Sequence, residues 1–310
     1  MAQSTQPIKD PLTGAETTGH VWDDTLQEFN NPLPRWWLYA FYGTIIFSIG
    51  YWILYPAWPF ASSFTKGFNT VTYQTAEGQE KTTHWSMRAL FAKDMQEGEF
   101  AVKQRQYLEK VAATPYDQIA QDPDMSAFVR SYGASVFNDN CAACHQAGGK
   151  GVLGKYPSLA DNDWLWGGTA DAVQHTITYG RNGFMPAFKE TFNEEQLTQV
   201  SNYVLSLSGL PADADAAAKG ERIFNTETGG CYYCHTKVGK GLQSQGAANL
   251  TDKVWTIATI DANAKPEDNL TKIKAVISNG VQRQMPVFGQ RLNETEIKVL
   301  TNYVQQLSAQ

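Results

Sequence analysis

A chain of 310 residues has material for two domains of ordinary size, or three small ones, each with its own core. Its formal net charge of −6 and the lack of any basic run exclude tracking of a phosphate backbone, so no nucleic-acid partner is expected. Four cysteines in two close pairs are too few and too clustered for the disulfide framework of a small secreted domain.

Residues 1–35 form a polar tail that carries Asp10, Glu16, Asp23, Asp24 and Glu28 and lacks the basic start of a cleavable signal. It ends in "NNPLPRWW", where Pro32 and Pro34 stop a helix from running backwards and Arg35 marks a boundary. The 30 residues 36–65 carry no charge. As a helix rising about 1.5 Å per residue, residues 36–58 would cross a bilayer. Trp36, Trp37, Tyr39 and Tyr42 crowd one end, and Trp52, Tyr55 and Trp58 the other, as expected where amphipathic rings sit at headgroup level. The segment is too long and too uniformly apolar for a buried core helix. A single uncleaved transmembrane helix in the lipid bilayer is therefore expected. Residues 59–122 read as a connector, with a charged helical stretch around 90–111 whose apolar spacing is too irregular for a core helix.

The remainder is an internal repeat. "NEEQLTQVSNYVLSLSG" from Asn193 aligns with "NETEIKVLTNYVQQLSA" from Asn293 at an offset of 100. Each Asn is a good N-cap, with Gln196 or Glu296 three residues on as capping-box partner. Leu197, Val200, Tyr203, Val204 and Leu207 recur as Ile297, Leu300, Tyr303, Val304 and Leu307, a helical apolar stripe. Upstream of each cysteine pair a second helix carries a Gly four residues before an aromatic: Gly133 and Phe137, then Gly220 and Phe224. Such a notch suits close crossing by another helix. "PADADAAA" at 211–218 is the joint between a first unit at 123–210 and a second at 214–310. Each unit runs helix, Cys-pair loop, glycine-rich loop, short helix, Met loop, terminal helix, so the fold class is mainly α.

"CAACH" at 141–145 and "CYYCH" at 231–235 match C-x-x-C-H, the attachment signature of c-type haem. Two cysteines three apart on a turn reach the two vinyl groups of one porphyrin edge, and the adjacent histidine is carried under the iron. Cys141, Cys144, Cys231 and Cys234 are thus expected as covalent anchors of two haem c groups, with His145 and His235 as proximal iron ligands. A structural zinc site wants four ligands from elements close in sequence, and these pairs are ninety residues apart. A thioredoxin-like dithiol wants a βαβ context that is absent. Disulfides within the pairs would give the histidines no role.

Of the six methionines, Met185 and Met285 alone recur in a shared setting, "GFMPAF" and "RQMPVF", and are expected as the distal iron ligands. Met opposite His raises the potential of the iron, which suits a carrier feeding an oxidant. Each unit using its own Met is the default, and exchange between adjacent homologous units stays open. His175 competes for the first iron, but Ala275 stands at its counterpart, so it is read as a surface or supporting residue. His20 and His84 lack context and are expected to be solvated. "YPSLAD" at 156–161 aligns with "AANLTD" at 247–252, and a backbone carbonyl in this loop is expected to hold the proximal histidine's second nitrogen. Pro157 locks the first loop, whereas Ala248 leaves the second freer. The second unit also carries a ten-residue insertion before Met285. The two haems are expected to differ in reduction potential.

A tail ending "NNPLPRWW", one aromatic anchor closing in "YPAWP", and two C-x-x-C-H units each followed by M-P-x-F together resemble the dihaem subunit, called CcoP or FixP, of cbb3-type cytochrome c oxidase. The resemblance implies one N-terminal transmembrane helix followed by two tandem small cytochrome c domains. It also implies a bacterial inner-membrane location, single-pass, with a cytoplasmic tail and periplasmic haem domains. Its partners would be a donor cytochrome c, soluble or membrane-bound, a monohaem cytochrome c subunit, and a catalytic haem–copper subunit that reduces oxygen and pumps protons. The chain itself would be a non-catalytic electron-transfer subunit. Two other readings remain: a membrane-anchored dihaem carrier serving other reductases, and a dihaem peroxidase. The paired M-P-x-F loops argue against the open distal position that a peroxidase needs.

Overall fold

The computed structural model describes residues 6–23 and 26–309. Asp24, Thr25, the first five residues of the tail and Gln310 lie outside that description. Two compact units emerge, Met1–Val102 and Lys103–Gln310.

In the first unit, helix α1 (Arg35–Leu54) is apolar all round, has no buried residue, and is long and apolar enough to cross a membrane by length and composition. It stops four residues short of the expected end at Trp58. Pro56 pushes Tyr55 into an extended conformation (φ −119°, ψ 159°), which the helix cannot continue through. The chain then folds back on the helix end. Phe68 and Asn69 donate their N–H groups to the carbonyls of Ile53 and Leu54, at 3.1 and 2.9 Å, satisfying acceptors that a helix end leaves open. The connector holds more order than its sequence suggested. A two-residue ladder, β1 (Pro59–Phe60) with β2 (Ser63–Phe64), precedes an antiparallel hairpin, β3 (Thr70–Gln74) with β4 (Glu80–His84). Helix α2 (Met87–Glu97) follows, capped by the Ser86 side chain, and Gly98 separates it from α3 (Glu99–Ala113). The charged stretch is thus two helices rather than one. His20 and His84 are half-buried rather than solvated, their rings 4.2 Å from Trp22 and 5.4 Å from Phe64.

The second unit continues with α4 (Tyr116–Gln121) and α5 (Pro123–Asn140), then α6 (Ala142–His145), a single turn that holds the first Cys pair's histidine. Next come α7 (Ala170–Tyr179), β5 (Arg181–Met185) and α8 (Glu194–Leu207). The second repeat gives α9 (Ala214–Phe224), α10 (Tyr232–His235), α11 (Pro266–Asn279), β6 (Val281–Met285) and α12 (Glu294–Ser308). Both capping boxes are formed, Asn193 with Gln196 and Asn293 with Glu296. The expected Met loops are strands at their leading edge. β5 and β6 pair antiparallel, with Gly183 opposite Arg283 at the centre of the register.

The sequence repeats are not the packing units. One core gathers Phe137 and Val129 of α5, Val173 and Ile177 of α7, and Ile297, Leu300, Tyr303 and Val304 of α12. The other gathers Phe224 of α9, Ile273 and Ile277 of α11, and Leu197, Val200, Tyr203 and Val204 of α8. Each terminal helix has crossed to the other repeat's cysteine-bearing helix. Phe137 and Phe224 anchor the two cores, at 0 % and 1 % exposure. Filling such a site with an aromatic is worth about 3–5 kcal/mol against alanine.

Candidate haem site

The first Cys pair begins where its Gly-x-x-x-Phe helix ends, so the packed Phe137 fixes its position, whereas residues 225–230 separate the end of α9 at Phe224 from Cys231. The Cys141 N–H donates to the Phe137 carbonyl at 2.7 Å, and His145 N–H to the Cys141 carbonyl at 2.9 Å. The second pair repeats the turn, with His235 N–H to the Cys231 carbonyl at 2.9 Å. After each histidine the chain reverses through a residue with positive φ, Gln146 (φ 64°) and Thr236 (φ 60°). A β-branched residue in that region is rare and strained by about 1–3 kcal/mol. The reversal brings Gly151 N–H onto the His145 carbonyl (2.8 Å) and Gly241 N–H onto that of His235 (2.9 Å).

The reversed loop then orients the imidazole. His145 Nδ1 lies 3.0 Å from the Pro157 carbonyl oxygen, and His235 Nδ1 lies 2.9 Å from that of Ala248. Burial holds both imidazoles below the usual histidine pKa, against the smaller upward pull of those carbonyls. A neutral ring that donates through Nδ1 presents the lone pair of Nε2, the state that ligates a metal. The expected carbonyl is thus in place in both copies, and the distances match. Ala248 aims it as well as Pro157 does.

All four thiols are free of disulfide. Burial, with the neighbouring cysteine adding to it, pushes the Cys141 thiol up to about 11, and burial first of all pushes Cys231 to about 11. A redox dithiol wants its thiolate populated near neutral pH, so this environment opposes the thioredoxin-like alternative.

One cavity of about 490 Å³ is lined by both Cys pairs, both histidines and both Met-bearing strands. Within it Met285 packs against the core that holds Cys141, Trp164 and Leu159. Met185 packs against the core that holds Cys231, Trp255 and Leu250. Each methionine therefore packs in the core that carries the other repeat's first cysteine. Glycines allow the crossing. A Cβ on Gly280 (φ 70°) would lie 2.6 Å from the Met185 carbonyl oxygen, and one on Gly180 (φ 71°) would meet that of Met285. His175 is exposed, with its ring against Tyr179, and does not line the cavity. Trp164 and Trp255 went unread in the sequence, although they stand in register three residues after the aligned Asp161 and Asp252. Arg181 and Arg283 also line the cavity and had no repeat partner to flag them.

The family described as cytochrome c oxidase, cbb3-type, subunit III matches residues 131–204 and 215–304, one stretch over each repeat. That described as the N-terminal domain of cytochrome oxidase-cbb3, FixP, matches residues 14–62. The cbb3-type cytochrome c oxidase subunit FixP of Azorhizobium caulinodans is 40 % identical over 307 residues, covering 96 % of this chain and 94 % of its own. The FixP subunit of Bradyrhizobium diazoefficiens is 39 % identical over 309 residues, covering 96 % of each chain. The CcoP subunit of Azospirillum brasilense is 38 % identical over 315 residues, covering 97 % of this chain and 98 % of its own.

This chain belongs to the FixP/CcoP family of cbb3-type cytochrome c oxidase subunits. Haem c binding follows from its two cytochrome matches. The residues present fit that group on independent grounds: imidazoles held through Nδ1 by a carbonyl, paired thiols on one turn, and methionines lining the same apolar chamber.

Proposed function

We propose that this subunit carries two covalently bound haem c groups and passes electrons from a periplasmic donor cytochrome towards the oxygen-reducing haem–copper subunit of a cbb3-type oxidase. Cys141 and Cys144 would anchor one haem with His145 as proximal ligand, and Cys231 and Cys234 the other with His235. Met285 would complete the first site and Met185 the second, crosswise between repeats. The haems supply one-electron storage at the iron. The chain's residues would do the rest: His145, His235, Met185 and Met285 would hold the irons, Phe137, Phe188 and Phe288 would keep water from the chamber they line, and the Pro157 and Ala248 carbonyls hold each ring's proton at Nδ1. Ligation of each iron by a histidine and a methionine would suit electron transfer rather than binding of oxygen or peroxide, so catalysis would lie in another subunit. The span offers no histidine for copper or b-type haem.

The observation that carries this reading is the repeated geometry, with Nδ1–carbonyl distances of 3.0 and 2.9 Å behind two C-x-x-C-H turns that open on one chamber. The anchor and the extracytoplasmic attachment of c-type haem favour a cytoplasmic tail with the haem-bearing region on the periplasmic side. A monohaem subunit is the expected next carrier. Purification in mild detergent, with a pyridine haemochrome spectrum and a subunit gel, tests the proposal. Two haem c per chain with a co-purifying haem–copper subunit support it. A colourless denatured chain overturns the haem assignment, and peroxide turnover by the isolated protein overturns the carrier role.

A further inference from the structure

The two repeats meet at the β5–β6 ladder. Its register, Arg181 with Met285 and Met185 with Val281, is symmetric about the pair Gly183 and Arg283. An approximate two-fold relating the repeats passes between those residues, yet one is an arginine and the other has no side chain. The guanidinium of Arg283 lines the same chamber as both Cys pairs. Its Nη2 donates to the Thr256 carbonyl oxygen at 2.6 Å, while Nε and Nη1 are enclosed and have no partner. A guanidinium remains charged and carries five N–H donors, and leaving such donors unpaired away from water is costly. Among the described residues no carboxylate of the chain forms an ion pair with it. The other arginine at this junction is already engaged: Arg181 lies 4.7 Å over the Trp166 ring and donates Nε–H to Thr176 Oγ1 at 2.9 Å. The missing partner is an anion that enters the chamber with whatever fills it.

We propose that Arg283 is the counter-ion of a haem propionate at the junction of the two haem seats, donating Nε–H and Nη1–H to the carboxylate while Thr256 steadies Nη2. A planar two-donor edge matches a carboxylate, and an ammonium does not. Because Gly183 occupies the symmetric position, this cation serves the two haems unequally. A nearby positive charge disfavours the ferric state, which has one more positive charge than the ferrous, so it raises the potential of the haem it serves. This gives a named cause for two unequal potentials, beyond the proline and the insertion noted in the sequence.

The assignment rests on the two-haem reading, and the test separates the two. In Arg283→Gln, redox titration with haem quantified in the same sample should show one midpoint potential lowered by the equivalent of about a tenfold change in equilibrium constant, ~59 mV for one electron. The other should move little, and Arg283→Lys should fall between. Two haems present with both potentials unchanged overturns the role of Arg283 alone, whereas no haem in the parent protein overturns the function itself. Should Arg283→Gln fail to retain both haems, the unaltered protein decides. With its arginine guanidinium labelled by ¹⁵N and, separately, its haem propionates by ¹³C, a redox infrared difference spectrum should contain both label-sensitive guanidinium bands and label-sensitive propionate bands, and the absence of any ¹⁵N-sensitive band overturns the proposal.

Discussion

Tyr303, on the last helix of the chain, fills the notch left by Gly133 on the first helix of the opposite repeat. A Cβ on Gly133 would lie 2.8 Å from Tyr303 Cβ. The equivalent notch at Gly220 is closed by backbone, where a Cβ would run into the Gln199 carbonyl oxygen and come within 2.9 Å of Val200 N. At Gly133 only Tyr303 Cβ lies inside 3.0 Å and a small shift of one helix relieves it, whereas at Gly220 three main-chain atoms lie inside that distance. Gly133→Ala is therefore expected to cost about 1–2 kcal/mol and Gly220→Ala about 3 kcal/mol or more, read by chemical denaturation of the haem-loaded protein. Equal effects would contradict the difference in packing.

The crossed helices also move the consequences of a cap. Asn193 belongs to the first repeat but caps α8, which builds the core around Cys231. Asn193→Ala is expected to lose about 1 kcal/mol and to loosen the second haem's surroundings, while Asn293→Ala does so for the first. Hydrogen exchange resolved by segment checks this: faster exchange in α9 and α11 after Asn193→Ala is the expected pattern.

Loops under the histidines give a third contrast. A Cβ on Gly151 would stand 2.6 Å from the Pro157 carbonyl oxygen that accepts from His145, and one on Gly241 2.6 Å from that of Ala248. Gly151→Ala should displace the acceptor and shift the first haem's potential, with earlier thermal loss of its Met–iron absorption. Pro157→Ala should change both far less, because Ala248 already makes the same bond at 2.9 Å. Spectroscopic melting of the two variants side by side is the check.

Asp163 lines the chamber, and its carboxyl is held above the usual range by burial first, then by Asp252 and Asp161. With the folded pKa above the unfolded one, the unfolded chain ionises first as pH rises. Stability is therefore lost from about pH 4, the ordinary carboxylate range, up through the raised folded value, and the penalty is absent at lower pH. Asp163→Asn should stabilise the protein at neutral pH by less than about 1 kcal/mol, since water screens a half-exposed group, and should have no effect well below pH 4. Melting temperatures across that range would expose the opposite sign at once.

Much of this was readable from residues alone. The cysteine turns, the histidines' place on them, the carbonyl braces, caps and glycine notches each depend on neighbours within a few positions, where spacing dictates geometry. The exchange of α8 and α12 did not show, because both repeats carry the same stripe and the same notch, so either helix matches either groove. Connection length breaks that tie. Only residues 208–213 separate α8 from α9, and the Asp213 N–H reaches back to Asn202 Oδ1 at 2.9 Å. A link that short makes the two helices neighbours, and α12 is left to close the first core. Arg283 was invisible for the opposite reason, since repetition was the signal and it has no repeat.

Crosswise ligation is tested most directly in a protein with one haem. With Cys231 and Cys234 both replaced by alanine, only the haem on Cys141 and Cys144 remains, and its Met–iron charge-transfer band reports the distal ligand. Met285→Ala in that background should abolish the band, while Met185→Ala should leave it. Loss of the band with Met185→Ala, and its survival with Met285→Ala, would contradict the account.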